Sequence, residues 1–189
     1  MKTDTTYTNV AFDSGNLANQ YDGCTFESCT FVHMFLGERV FCDCTFRACD
    51  FTNTTFDGTG IRDCHFVDSK LLSAIFDSVN PFLLRYTFSG CNMSYSSFVG
   101  VAMSGTIYHD CQLSEADFTN ADVSSADFTS SDLDRATFHS TDLSSADLSQ
   151  AMHVSLSLQR NIVRGLKLKQ AQLPSLLTEY KLHILNFPH

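Results

Sequence analysis

No segment of this sequence is long and apolar enough to span a membrane. Its N-terminal stretch, "MKTDTTYTNVAF", lacks the charged start and apolar run of a secretory signal. A cytoplasmic protein is therefore expected, in which sequons such as "NTT" at Asn53 carry no meaning. Signatures of catalysis are missing too. There is no glycine-rich phosphate loop, no G-x-S-x-G elbow and no H-E-x-x-H. The seven histidines contain no ligand-spaced pair, and carboxylates that merely come close make no glycosidase-like site without a concave pocket. The reading is of a non-enzyme with no cofactor and no metal. Tryptophan is absent as well, although the 189 residues include 17 phenylalanines.

Those phenylalanines follow a spacing of five. In "EADFTNADVSSADFTSSDLDRATF", Phe118, Val123, Phe128, Leu133 and Phe138 recur every fifth residue, each preceded two places earlier by Ala or Ser. Four of the five intervening slots hold an aspartate. Five suits no regular element: on an α-helix the apolar residues would spiral around the rod, and on a flat strand they would alternate faces. A chain can point every fifth residue inward only by turning a corner once per repeat. One register runs from Phe26 to Phe76 and a second from Phe88 through Leu148, prolonged less cleanly by Val163, Leu168 and Leu173. Between them "DSVNPFLLRYT" inserts two extra residues around Pro81, read as a corner loop or bulge within one continuous solenoid. In the second register aromatic and aliphatic centres alternate, which requires an even-sided coil. Four sides of five residues is the smallest with room for stacked rings, with coils about 4.8 Å apart.

The cysteines fall under the same register. Cys24, Cys29, Cys44, Cys49, Cys64, Cys91 and Cys111 all occupy the small inward slot, and only Cys42 lies off it. Reduced, compact packing residues are expected rather than metal ligands.

The units "ADFTN", "ADVSS", "ADFTS", "SDLDR" and "ADLSQ" resemble the pentapeptide-repeat family. That resemblance covers roughly Phe26 to Leu173 and implies an all-β fold, a right-handed quadrilateral β-helix. The expected organisation is one domain over 1–189: an N-terminal cap at 1–22, coils over 23–173 with a break near 77–87, and a short helical cap at 174–189. Pro174 stands at a first helical position, with Leu176, Leu177 and Tyr180 spaced for one helical face. The tail serves either to cap the solenoid or to cap and dimerise it, through Leu177, Tyr180, Ile184, Leu185 and Phe187.

Two other irregularities stand out. "HMFLGERV" puts Met34 and Arg39 in small inward slots, read as a bulge with Arg39 swung outward or as a protruding recognition element. His153 interrupts the apolar series, as a buried, satisfied histidine or as a local irregularity.

Charge is unevenly distributed. Residues 110–150 hold nine carboxylates against Arg135 alone, whereas 151–189 hold five basic residues against Glu179. Asp122 should stack on Asp142, and Asp127 on Asp147 on the next side. Such a rod repels nucleic acid and suits a protein built to hold phosphates. The chain resembles, in length and in its tail "QRNIVRGLKLKQAQLPSLL", the Qnr-type and albicidin-resistance members of the family. It has Gly165 and Leu168 where their pattern has Ala and Phe, and no long inserted loop, which sets it apart from the plasmid-borne quinolone-resistance proteins. The resemblance implies a homodimeric, DNA-mimicking partner of DNA gyrase or topoisomerase IV that confers antibiotic resistance. The partner-binding residues would be Asp117, Asp122, Asp127, Asp132, Asp142 and Asp147. The alternative is a rigid scaffold whose contacts lie at "HMFLGERV" or near Pro81. Aspartate in this slot also serves the turn through local hydrogen bonds, so acidity is in part a product of the repeat.

Overall fold

A computed structural model describes residues 1–177, 180 and 181. Its strands are short: β1 (Lys2–Thr3), β2 (Thr6–Thr8), β3 (Gln20–Asp22), β4 (Thr25–Glu27), β5 (Val40–Cys42), β6 (Thr45–Arg47), β7 (Gly60–Val67), β8 (Leu84–Ser89) and β9 (Ile107–His109). All pair in parallel, each with the segment one coil onward: β1 with β3, β3 with β5, β5 with β7, and β2 with β4, β4 with β6. Isolated bridges carry the same ladder to the end of the rod, as in Asp122 with Asp142 and Asp147 with Lys167. The partners lie nineteen residues apart in the first coil, as in Lys2 with Tyr21, and twenty in the coils that follow, as in Gln20 with Val40, so each full coil has four sides of five. The fold is a parallel β-solenoid. Residues 1–19 are wound and paired as its first coil.

Each corner has a chemical cause. At many corners the carbonyl of a central residue accepts from the amide three places on, as in Ala116 N to Leu113 O at 3.1 Å and Ala121 N to Phe118 O at 3.0 Å, whereas the corner amides of Cys111 and Thr141 donate to Ser131 Oγ and Asn161 Oδ1 of the next coil. The residue before that donor takes positive φ, 58° at Glu115 and 58° at Asn120, the pattern of a type II turn. The aspartate preceding the central residue closes the corner from outside. Oδ1 of Asp117, Asp122 and Asp127 accepts from the amides of Thr119, Ser124 and Thr129 at 2.8, 2.9 and 2.9 Å.

Inside, the rings stack in columns along the axis. Phe98 lies 5.1 Å from Phe118, which lies 5.1 Å from Phe138, with planes nearly parallel. A second column runs Tyr108 to Phe128 at 4.8 Å and meets the first edge-on, Tyr108 against Phe118 at 87°. Both arrangements are favoured by the ring quadrupole, and each buried ring contributes about 1.5–3 kcal/mol of transfer free energy.

The inserted pair is absorbed by a 3₁₀ turn, Pro81–Leu83. Bridges step by twenty-two there, Lys70 to Asn92, and by twenty again from Asn92 to Gln112. At the other end a 3₁₀ turn, Gln170–Gln172, leads into α1 (Leu173–Leu176), with Pro174 in its first turn. Leu176 is buried, and Gln172 Nε2 donates to Leu148 O and Ala151 O at 2.9 and 3.0 Å, covering carbonyls of the last coil.

One reading needs correction, and one pair of alternatives is decided. "HMFLGERV" forms no bulge: Thr55 N still reaches Met34 O at 2.8 Å, and Val40 pairs with Gly60 in register. Arg39 is not swung outward; it is half-buried, with Nη1 donating to Leu36 O at 2.6 Å. Of the two alternatives for His153, the local irregularity holds. The residue is exposed at φ 53°, because the chain leaves the ladder after Met152 and buries Val154 and Leu156 instead.

Candidate functional site

The four sides of the coil carry the six aspartates unequally. Asp122 and Asp142 bridge on one side, and Asp127 and Asp147 on the next. Asp132 stands on the third side between Gln112 and Met152, and Asp117 on the fourth between Ser97 and Thr137. The repeat thus brings together two vertical pairs on adjoining faces and holds the other two singly.

One oxygen of each carboxylate is committed to its own turn. Besides those above, Asp132 accepts from Asp134 N, Asp142 from Ser144 N and Asp147 from Ser149 N, at 3.0, 2.8 and 3.0 Å. The second oxygens differ. Asp127 Oδ2 meets His109 Nε2 at 2.8 Å, and Asp147 Oδ2 meets Lys167 Nζ at 3.4 Å. Asp132 uses Oδ1 again, at 2.6 Å from His153 Nδ1. Among the described residues Asp117, Asp122 and Asp142 form no ion pair. Partial burial pushes the Asp127 carboxyl up, but hydrogen bonds from His109 and Thr129 outweigh it and hold the group below its ordinary range. The Ser149 hydroxyl and amide, helped by Lys167, do the same for Asp147. The bond to Asp132 raises His153 above the ordinary histidine value.

Of the segment assigned to dimerisation, Leu177 and Tyr180 are half-buried at the end of the rod. Ile184, Leu185 and Phe187 lie outside the described residues. All eight cysteines are free and buried. Among the described residues no three metal-ligating side chains cluster, and no helix is long and apolar enough to cross a membrane.

Sequence reasoning passed over one set of residues. Phe35 and Tyr95 are 64% and 57% exposed, Ile75 is 40%, and Phe82, in the inserted loop, is 91%. Phe35 and Ile75 share a face with Thr55 between them. The signal was present for Phe35, Ile75 and Tyr95, each in a slot that the repeat points outward, whereas Phe82 lies in the insertion, outside the register.

The pentapeptide-repeat family model matches residues 111–150 in eight copies. No curated protein sequence matches the chain. Solved structures do resemble it. A trypsin-treated form of QnrB1, a plasmid-mediated fluoroquinolone resistance protein, superposes with a TM-score of 0.66 at 15% identity, covering 97% of this chain and 99% of that one. A second trypsin-treated QnrB1 gives 0.54 at 17%, covering 98% and 100%. HetL, involved in heterocyst differentiation regulation in the cyanobacterium Nostoc sp. strain PCC 7120, gives 0.66 at 18%, covering 88% and 82%. Likeness at such identities speaks for the fold alone. Residues 111–150 thus match the pentapeptide-repeat model, and the coil they form continues on either side of them.

Proposed function

We propose that this rod engages a type II topoisomerase, DNA gyrase or topoisomerase IV, in place of duplex DNA, and through that contact counters topoisomerase poisons. The observation that carries the reading is the pair of carboxylate stacks, Asp122 on Asp142 and Asp127 on Asp147, on adjoining faces. Magnitude supports it locally. Residues 110–150 wind about two coils, roughly 10 Å of axis at the strand spacing, and carry a net charge of −8, nine acidic residues against Arg135. That is about one charge per 1.2 Å, against about one per 1.7 Å of DNA. The duplex-like density spans only about three base pairs; elsewhere the rod is far less charged. A homodimer joined through Leu177, Tyr180, Ile184, Leu185 and Phe187 would present two such segments about a two-fold axis. Solved relatives of this fold include a fluoroquinolone resistance protein, which is consistent with the reading.

Purified protein added to gyrase supercoiling and cleavage reactions, with and without a fluoroquinolone or albicidin, tests it. Inhibition or rescue at modest excess is expected, and it should weaken when Asp122, Asp127, Asp142 and Asp147 are changed to Asn. No effect on either topoisomerase would refute the proposal.

A second reading, a rigid rod serving another partner, is favoured by the exposure of Phe35 and Phe82, in two segments whose sequence departs from the repeat. On that reading Phe35→Ser or Phe82→Ser abolishes the partner contact and the Asp→Asn changes do not.

A further inference from the structure

The face that bears Phe35 is missing its first rung. Along it, each amide reaches a carbonyl of the coil before: Ile75 N to Thr54 O, Ser97 N to Ala74 O, Asp117 N to Ser96 O, all within 2.9–3.0 Å. In a parallel ladder the N–H and C=O of one residue point to the same neighbour. Thr55 pairs with the residues flanking Phe35, so the amide and carbonyl of Phe35 face the first coil. There the chain turns away. Asp13 Oδ1 accepts from Gly15 N and Asn16 N at 2.8 and 2.9 Å, and Leu17 N bonds Asp13 O, which folds residues 13–16 outward as a local turn before Leu17 re-enters the core. Among the described residues the Phe35 amide has no partner.

The space left is a notch of about 500 Å³ whose lining includes Phe12, Asp13, Val32, Met34, Phe35 and Arg39. That size suits a small ligand or a few residues of chain. Arg39 stands where the repeat asks for a small residue. Its Nη1 is held by Leu36 O, its Nε is buried without a partner, and among the described residues it has no carboxylate. Gly37, at φ 59°, makes the crowding possible; a Cβ there would lie 3.2 Å from the Phe35 ring and 3.6 Å from Arg39 Nη1.

We propose that this notch accepts a short extended peptide segment that carries a carboxylate side chain, which adds the missing rung at Phe35 and pairs with Arg39. The backbone of the guest supplies an acceptor and a donor to the free edge, as in strand addition. Its apolar side chain fills the space between Phe12, Val32 and Met34, and its carboxylate gives the guanidinium a counter-ion. The site is remote in the chain from the acidic coils and does not depend on the topoisomerase reading.

The test is an NMR titration of the full chain with N-acetyl-Leu-Glu-N-methylamide and with the matching Gln compound. The Glu probe should shift the Phe35 amide and the Arg39 Nε resonance saturably at millimolar concentration. It should bind about fivefold more tightly than the Gln probe, a partly exposed ion pair giving up to about that factor. Arg39→Met should bring the ratio to about one. If that variant does not fold, Arg39→Lys should keep part of the preference. Equal binding of the two probes to the unmodified protein, shifts confined to other residues, or no saturable shift would each overturn the proposal.

Discussion

A single aspartate in this repeat does two jobs that a substitution can separate. Oδ1 of Asp122 closes the turn onto Ser124 N at 2.9 Å, while the rest of the carboxylate contributes charge to the face. Asp122→Asn keeps an acceptor and removes the charge; Asp122→Ala removes both. Thermal or denaturant unfolding should therefore place the Asn variant within a few tenths of a kcal/mol of the parent and the Ala variant about 1 kcal/mol below it. Equal losses would mean that the turn bond contributes nothing. His153 offers a second residue-scale check. Its bond to Asp132 raises its pKa in the folded chain. Because the folded value lies above the unfolded one, the stabilisation is present below the unfolded pKa and disappears as pH rises through the folded value. A histidine titration followed by NMR should show His153 above the ordinary value, returning to it in Asp132→Asn. The aspartates were legible because they sit in register. His153 was not, since its place depends on where the chain leaves the coil, and no local pattern marks Val154 and Leu156 as the residues that replace it inside.

At the scale of one coil, stability comes from ring columns and from the small inward slot. Phe118 is fully buried and stacked on both sides at 5.1 Å. Phe118→Ala should cost about 3–5 kcal/mol, the range for a buried aromatic that leaves a cavity. A loss below about 1 kcal/mol in denaturant titrations would contradict this packing. The small slot does more than fit. Thr54 Oγ1, Ser131 Oγ and Cys49 Sγ approach the carbonyls of Phe31, Tyr108 and Phe26 in the coil before, at 2.6, 2.6 and 3.3 Å. Buried carbonyls need such partners, which explains why Cys, Ser and Thr share the slot with Ala. The period of five showed where these residues stand, but a donor to a residue twenty-three places earlier has no local signature. Burial pushes the Cys49 thiol up to about 12, and all eight thiols are buried. A thiol reagent at neutral pH should accordingly react slowly with the folded protein and with all eight groups after unfolding. Rapid native labelling would place them at the surface. Arg39 was misread for a reason at this scale as well: whether a large residue in a small slot swings out depends on the room left by the preceding coil.

Over the whole molecule, the acidic segment 110–150 is followed by a basic end with Arg160, Arg164, Lys167 and Lys169. The ends of that boundary touch, since Lys167 pairs with Asp147. Asp122 and Asp142, which form no ion pair among the described residues, lie on the adjoining side. The fold was legible along most of the chain because one period governs it. For a partner, charge was the one feature legible in the sequence, and the exposed Phe35, Ile75 and Phe82 show why charge alone is an incomplete description of the surface. The most direct test is the affinity of the purified protein for a type II topoisomerase across a range of salt, for the parent and for the variant with Asp122, Asp127, Asp142 and Asp147 all changed to Asn. The account predicts binding that weakens with salt, at least about tenfold weaker in the variant and with a shallower salt dependence. Absence of binding, or equal affinity and equal salt dependence of the two proteins, would contradict it.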